Sequence, residues 1–175
     1  MSVSPVSSVP PVVPAEVSAE PSRYHHCHPV RVYWEDTDAG GIVFYGNYLK
    51  FMERARTEWL STLGFGQESM RRAGEGMFIV AETQLRYLKP ARLDDRLSVT
   101  VAVTEVGRAS VTFAQEVWRG DSLLTQGMAR IGWVQPVASR GAPTDDPASE
   151  DSFRPGRIPA RILAILPTPI SASKG

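Results

Sequence analysis

The sequence predicts an α+β domain in which one long helix lies across an antiparallel sheet. Three observations carry this. Residues 47–62 are the only long segment with helical spacing of apolar residues. From Met77 onward the spacing changes to alternation, in four successive segments. The later segments are joined by turns too short for a parallel crossover, which needs a dozen or more residues, so these strands pair antiparallel. A single helix on such a sheet is an established layer architecture.

The elements follow in order. Val30 to Trp34 alternates weakly and reads as a first strand, followed by the turn-rich stretch Glu35 to Gly41. In the helix, Tyr48, Phe51, Met52, Ala55, Trp59 and Leu63 recur at spacings of three and four. Asn47 is placed to cap its start, and Gly64 to stop it. Met77 to Tyr87 reads as a strand ended by Pro90. Leu97, Val99, Val101 and Val103 alternate with Ser98, Thr100, Ala102 and Thr104, which predicts a strand with one buried face. Gly107-Arg108 turns the chain into Ser110–Trp118, and Gly120-Asp121 is a hairpin signal before Leu123–Val134.

The 175 residues suit one domain. Its expected limits are 29–136. Residues 1–28 read as a disordered lead-in, because their first 22 positions are rich in Pro, Ser and Val and carry only Glu16 and Glu20 as charges. Residues 137–152 read as a linker. Residues 153–175 form a C-terminal segment whose apolar piece, Ile158 to Leu166, is expected to dock as a short helix.

The N-terminus lacks the basic and apolar regions of a secretory signal, and no apolar run approaches the ~20 residues that span a bilayer. The expectation is a cytoplasmic protein with no transmembrane segment. With 19 basic and 19 acidic residues, nucleic acid is not an expected partner. Cys27 is the one cysteine, so no internal disulfide forms. His25-His26-Cys27-His28 invites a metal reading. Neighbouring residues of an extended chain point to opposite sides, however, and no second ligand cluster exists, so no metal is expected.

The segment Asp36 to Tyr48 concentrates the chemistry. Two carboxylates, Asp36 and Asp38, stand beside Gly40 and Gly41 and lead into a helix start. Amides at a helix start are unbonded and carry partial positive charge. Glycine lets a ligand approach the backbone closely. A polarised carbonyl resting on those amides, with a carboxylate opposite, is an arrangement that cleaves an activated ester. A thioester suits it, since a thiolate (reference pKa about 8.5) leaves without acid assistance. Asp and Gly also favour turns on their own account. The spacing does not choose between Asp36 and Asp38.

The run Val32-Tyr33-Trp34-Glu35-Asp36-Thr37-Asp38-Ala39-Gly40-Gly41-Ile42-Val43-Phe44-Tyr45-Gly46-Asn47-Tyr48 and its continuation to Arg56 resembles the signature of Tol–Pal-associated acyl-CoA thioesterases. These are relatives of the 4-hydroxybenzoyl-CoA thioesterases. The resemblance extends through Arg86 to Asp95, Gly107 to Ser110, and Arg157-Ile158-Pro159. It implies a hotdog fold, in which the sheet wraps the helix, two subunits share a continuous sheet, and the active sites lie at the subunit interface.

The resemblance also implies site roles. The second Asp of the motif, here Asp38, is the catalytic carboxylate, with Asp36 in support. The backbone N–H at Tyr45 polarises the carbonyl. Many Tol–Pal-type relatives carry His at that position, while the hydroxybenzoyl branch carries Tyr. Gly41, Asn47, Arg108 and Ser110 are candidate substrate contacts, Arg108 for a coenzyme A phosphate. A second hotdog branch uses a helix carboxylate, for which Glu53 and Glu58 are the rivals. Glu53 is also explained by surface ion pairs with nearby arginines.

The expected function is hydrolysis of an acyl-CoA thioester to free acid and coenzyme A, with no cofactor. The protein is expected to be a homodimer or homotetramer, with acyl carrier protein as a possible donor. The alternative is a non-catalytic module that binds acyl-CoA or acyl carrier protein, suggested by the Pro-rich tails.

Overall fold

A computed structural model of the chain describes residues 23–137 and 153–170. Expectations for residues 1–22, 138–152 and 171–175 lie outside the described residues. Six strands form one antiparallel sheet: β1 (His26–Arg31), β2 (Met77–Tyr87), β3 (Arg96–Val106), β4 (Ser110–Arg119), β5 (Ser122–Pro136) and β6 (Phe153–Pro155). The order across the sheet is β1-β3-β4-β5-β2, with β6 also on β5. A single 3-10 turn, Trp34–Asp36, precedes α1 (Asn47–Thr62), and α2 (Gln67–Arg72) follows it. The short α3 (Ala160–Leu163) closes the described chain.

α1 is helical because its apolar residues share one stripe, and the sheet gives that stripe something to bury. Tyr48, Phe51, Met52, Ala55, Trp59 and Leu60 are all buried. They meet Leu97, Val99, Val101 and Val103 of β3, Val111, Phe113 and Val117 of β4, and Leu124, Ile131 and Trp133 of β5. The rings of Trp59 and Phe113 meet edge to face at 5.5 Å, a favoured aromatic geometry. One cation enters this layer. Arg56 is buried, its pKa lowered by desolvation, and it donates to Gln115 Oε1 at 2.5 Å. Gln115 Nε2 in turn donates to the Met52 carbonyl at 3.0 Å. Glu53 accepts from the Thr57 hydroxyl at 2.7 Å, and no Glu53–arginine ion pair forms among the described residues.

Several expectations need correction. β1 spans His26–Arg31 rather than 30–34, so residues 26–28 belong to the sheet and not to a lead-in. The shift comes from long-range pairing: His25 Nδ1 accepts from Val103 N at 3.0 Å, and the chain is already paired with β3 from His26 onward. Trp34 falls in the 3-10 turn. β3 is buried on both faces at its centre, since Thr100 and Ala102 are buried too. The Thr100 hydroxyl is satisfied there by the Glu116 amide at 2.9 Å. Next to it the Glu116 carboxylate is buried and accepts from Tyr24, Trp118 Nε1 at 3.0 Å and Gln126 Nε2 at 3.3 Å. Burial and this carboxylate push the Tyr24 hydroxyl up to about 12.

β2 does not pair with β3, its successor in sequence. It pairs with β5 and forms the edge opposite β1. Its middle is exposed, with Ile79 43% and Val80 52% accessible. At the C-terminal end, β6 lies against the end of β5, while Ile158 and Ile162 bury into the core. Arg161 pairs with Glu75 to hold α3. Within 158–166 the chain thus makes one helical turn, Ala160–Leu163.

Gly76 is the tightest point of the fold. Its φ is +119°, and an added Cβ would lie 2.3 Å from the Val134 carbonyl oxygen and 2.9 Å from the Trp133 ring. Gly64, just past the end of α1, also has positive φ, at +83°, but open space beside it. The positive φ alone costs about 1–3 kcal/mol for an L side chain, and at Gly76 a backbone oxygen must also move. Gly76→Ala is therefore expected to lower the unfolding free energy by clearly more than Gly64→Ala, measured by urea denaturation. Equal midpoints for the two variants would show the Val134 contact to be unimportant.

Candidate active site

The loop between β1 and α1 is held by main-chain bonds that single out one carboxylate. Asp36 is 4% exposed. Its Oδ2 accepts from Tyr33 N at 2.9 Å. Its carbonyl oxygen accepts from Phe44 N at 2.9 Å and from Asn47 Nδ2 at 2.9 Å. Between these anchors the chain makes a small hairpin. Thr37 bridges Val43, Asp38 N donates to the Ile42 carbonyl at 2.9 Å, and Gly41 N donates to the Asp38 carbonyl at 3.0 Å. Gly41 supplies the positive φ of +70° that the turn requires. The hairpin is tied to the sheet through Ala91, whose carbonyl accepts from Val43 N at 2.9 Å. Ala91 N donates to the Tyr48 hydroxyl at 2.9 Å.

Asp38 is exposed at the turn of this hairpin. Gly40 N donates to its Oδ1 at 2.8 Å. The two aspartates thus stand in opposite conditions: Asp36 is buried and committed to the loop, and Asp38 is exposed and bonded only within its own turn.

Beside the hairpin a cleft of about 330 Å³ opens, walled by Ile42, Tyr45, Tyr48, Tyr87, Leu88 and Pro90 among others. Asp38 is not one of the wall residues. Its backbone N–H is bonded to the carbonyl of Ile42, which is a wall residue. Tyr45 is 66% exposed. Its carbonyl accepts from the Tyr87 hydroxyl at 3.0 Å, while its own N–H, and that of Gly46, donate to no group among the described residues. These are the free amides expected at a helix start.

The structure corrects one expectation here. The N-cap of α1 is Gly46, and Asn47 is the first helical residue. The Asn47 side chain is buried and bonded to the Asp36 carbonyl, so it anchors the loop rather than capping the helix. Arg108 and Ser110, in turn, do not join Asp38 within one chain. Ser110 pairs with Gly132, while Tyr87, at the cleft, pairs with Thr125. Seven residues of β5 separate these positions, roughly 24 Å at ~3.4 Å per residue. Arg108 is exposed and its carbonyl accepts from Ile158 N at 2.8 Å.

Sequence reasoning missed Tyr48 and Tyr87 as cleft residues. The helical spacing of Tyr48 reads only as core. Tyr87 carries a weak signal, an aromatic residue ending a strand just before Leu88-Lys89-Pro90. Among the described residues no group of three His, Cys, Asp or Glu is arranged to hold a metal ion. His26 and His28 lie on one face of β1, their ring centroids 6.4 Å apart, and Cys27 is exposed.

One helix wrapped by an antiparallel sheet, with a glycine-rich loop leading into the helix start, defines a hotdog-fold domain of the thioesterase class. Comparison with known proteins agrees. The model of the "Thioesterase superfamily" matches residues 40–126. The acyl-CoA thioesterase YbgC of Haemophilus influenzae is 42% identical over 115 residues, which cover 63% of this chain and 85% of that protein. A probable thioesterase from Bartonella henselae superposes with a TM-score of 0.61 at 25% identity, over 77% of this chain and 97% of that one. An Asp-to-Asn mutant of 4-hydroxybenzoyl-CoA thioesterase, complexed with 4-hydroxybenzoyl-CoA, gives 0.65 at 19% identity, over 79% and 96%, and shares the fold. The chain belongs to the thioesterase superfamily.

No described helix is long and apolar enough to cross a membrane. The loop geometry yields a stability prediction. Asn47→Ala removes one of the two hydrogen bonds to the buried Asp36 carbonyl, which costs about 0.5–1.5 kcal/mol. Urea denaturation is expected to show that loss, and an unchanged midpoint would mean the bond carries nothing.

Proposed function

We propose that this chain is an acyl-CoA thioesterase that hydrolyses its substrate to free acid and coenzyme A, with Asp38 as the catalytic carboxylate. The observation that supports this is that one short loop holds both an exposed carboxylate and unbonded amides just before α1, beside a mainly apolar cleft. The acyl group lies in the cleft among Tyr45, Tyr48 and Tyr87. The thioester oxygen rests on the Tyr45 N–H, which stabilises the charge that develops there. Asp38 either attacks the carbonyl carbon or takes a proton from an attacking water. The C–S bond breaks and the thiolate leaves. Gly41 opens the turn beside Asp38, and Asn47 acts indirectly by anchoring the loop. Glu53 and Glu58 have no part in this scheme.

The same reading includes a second copy of the chain. β2 is an exposed edge with accessible Ile79 and Val80, and an uncovered edge strand is a template for pairing. Antiparallel pairing of β2 with its twin sets the Met77 end of one copy beside the Tyr87 end of the other. Ile79 and Ser110 both pair with Gly132, from opposite sides. The partner subunit's Arg108 and Ser110 thereby approach this cleft, where a guanidinium serves a coenzyme A phosphate. The relation to the Tol–Pal-associated enzymes and a cytoplasmic location belong to this reading as well. Acyl carrier protein, which presents a thioester on the same kind of arm, is the second donor to test.

Thiol release from a panel of acyl-CoAs and an acyl carrier protein tests the enzyme. Asp38→Asn is expected to lower kcat about 10²–10⁴-fold with unchanged stability, because the residue is exposed and an amide oxygen can still accept from Gly40 N. Full activity in that variant would remove Asp38 from the mechanism. Tight binding without turnover of any thioester would leave only a binding module. The two-copy site is tested separately. Light scattering is expected to report at least two chains per particle. Arg108→Gln is expected to lower kcat/KM for acyl-CoA about tenfold and leave the corresponding acyl-pantetheine, which lacks the nucleotide phosphates, unaffected. Equal losses on both substrates would refute a phosphate contact.

A further inference from the structure

Tyr87 is the last residue of β2 and sits on the wall of the cleft. Its ring meets that of Tyr48 at 5.6 Å, edge to face. Ring packing alone would suit a phenylalanine. The hydroxyl does something a phenylalanine cannot: it donates to the Tyr45 carbonyl at 3.0 Å.

That carbonyl is well placed to matter. Tyr45 is the residue whose N–H holds the thioester oxygen in the reading above, and the inference rests on that reading. The local bonds of this turn run from Asn47 N to the Phe44 carbonyl at 2.9 Å and from Leu49 N to the Gly46 carbonyl at 3.2 Å. Neither involves a Tyr45 polar group. Tyr45 is also largely exposed, with Phe44 as its ring contact, 4.4 Å away. Among the described residues the Tyr87 hydroxyl is the hydrogen bond that ties the Tyr45 backbone to the sheet. It links a loop that could rotate to a strand that cannot.

A second effect follows from the amide itself. A donor on a peptide carbonyl polarises the whole peptide unit, so its N–H becomes a stronger donor. The unit here joins Tyr45 to Gly46, and the Gly46 N–H is also unbonded among the described residues. We propose that Tyr87 is a positioning residue of the oxyanion site, its hydroxyl fixing the Tyr45 carbonyl so that the amides of residues 45 and 46 stay directed at the thioester oxygen. Partial burial, followed by the neighbouring phenols of Tyr45 and Tyr48, raises the Tyr87 pKa. The hydroxyl therefore keeps its proton, and its donor role, through neutral and mildly alkaline pH.

The test is Tyr87→Phe in the full chain, which keeps the ring and removes the bond. The expected result is a fall in kcat of about tenfold, short of the roughly 10²–10³ that loss of an oxyanion donor costs. KM stays within about twofold and the melting temperature does not change. A KM rise at constant kcat would assign Tyr87 to the cleft wall and overturn the proposal. So would unchanged kinetics.

A spectroscopic arm separates this inference from the one beneath it. Asp38→Asn is loaded with acyl-CoA and the thioester C=O stretch is compared with that of free substrate. A shift to lower frequency is expected in Asp38→Asn, and a smaller one in Asp38→Asn combined with Tyr87→Phe. A shift that survives Tyr87→Phe at full size overturns the role of Tyr87 alone. No shift in Asp38→Asn itself overturns the amide reading and this proposal together.

Discussion

The carbonyl oxygen of Asp36 is where loop, helix and site are joined. It accepts from Phe44 N and from Asn47 Nδ2, both at 2.9 Å, at a place where the residue is almost fully buried. A buried carbonyl left without partners costs about 1–3 kcal/mol, so the two donors are strongly selected to stay. One of them begins the segment before α1 and the other is the first residue of α1. The hairpin 37–43 therefore cannot shift against the helix without breaking a buried bond. Asp38, at the turn of that hairpin, inherits a fixed place beside the helix start although nothing buries it.

The sheet closes the same arrangement from the other side. The Ala91 backbone works in both directions: its N–H donates to the Tyr48 hydroxyl and its carbonyl accepts from Val43 N. Burial raises the Tyr48 pKa, which keeps that phenol neutral as the partner of the amide. Asp36, the Asn47 side chain and the Tyr48 hydroxyl are thus held by hydrogen bonds in buried places, while Asp38 is exposed and the amides of residues 45 and 46 are unbonded among the described residues. Asp36 and Asp38, two residues apart, divide along that line. The division lets the loop be rigid without consuming the carboxylate and amides that a substrate would need.

Much of this was legible in the sequence, and what was not has a common cause. The bounds Asn47–Thr62 for α1 follow from the burial of one helix face and from Gly64, and those of Met77–Tyr87 for β2 from its residue pattern and Pro90, although most of β2 is exposed. The last three long strands are legible to within a residue or two for the same reason. α2 was not seen, since six residues, QESMRR, bury only Met70 and display no period. The early start of β1 depends on His25 bonding to Val103, 78 positions away. The place of β2 at the far edge depends on its pairing with β5. Local pattern carries no information about such partners. The same limit explains Asn47, whose side chain reads as a cap until the Asp36 carbonyl is found beside it.

Chemical consequences follow from the exposure of Asp38. The Asp38 carboxylate is exposed and accepts from a single loop amide, and among the described residues no side-chain acid is bonded to it. In the proposed reaction such a site suits a carbonyl that is already activated and whose leaving group departs unaided. A thioester meets both conditions, with a thiol of reference pKa about 8.5, and an ordinary amide or alkyl ester meets neither. In the proposed reaction the burden then falls on the electrophilic side, on how well the amides at residues 45 and 46 hold the carbonyl oxygen. The fold ties that segment down through the Asp36 carbonyl, bonded to Phe44 N and Asn47 Nδ2, and through the Tyr87 hydroxyl on the Tyr45 carbonyl.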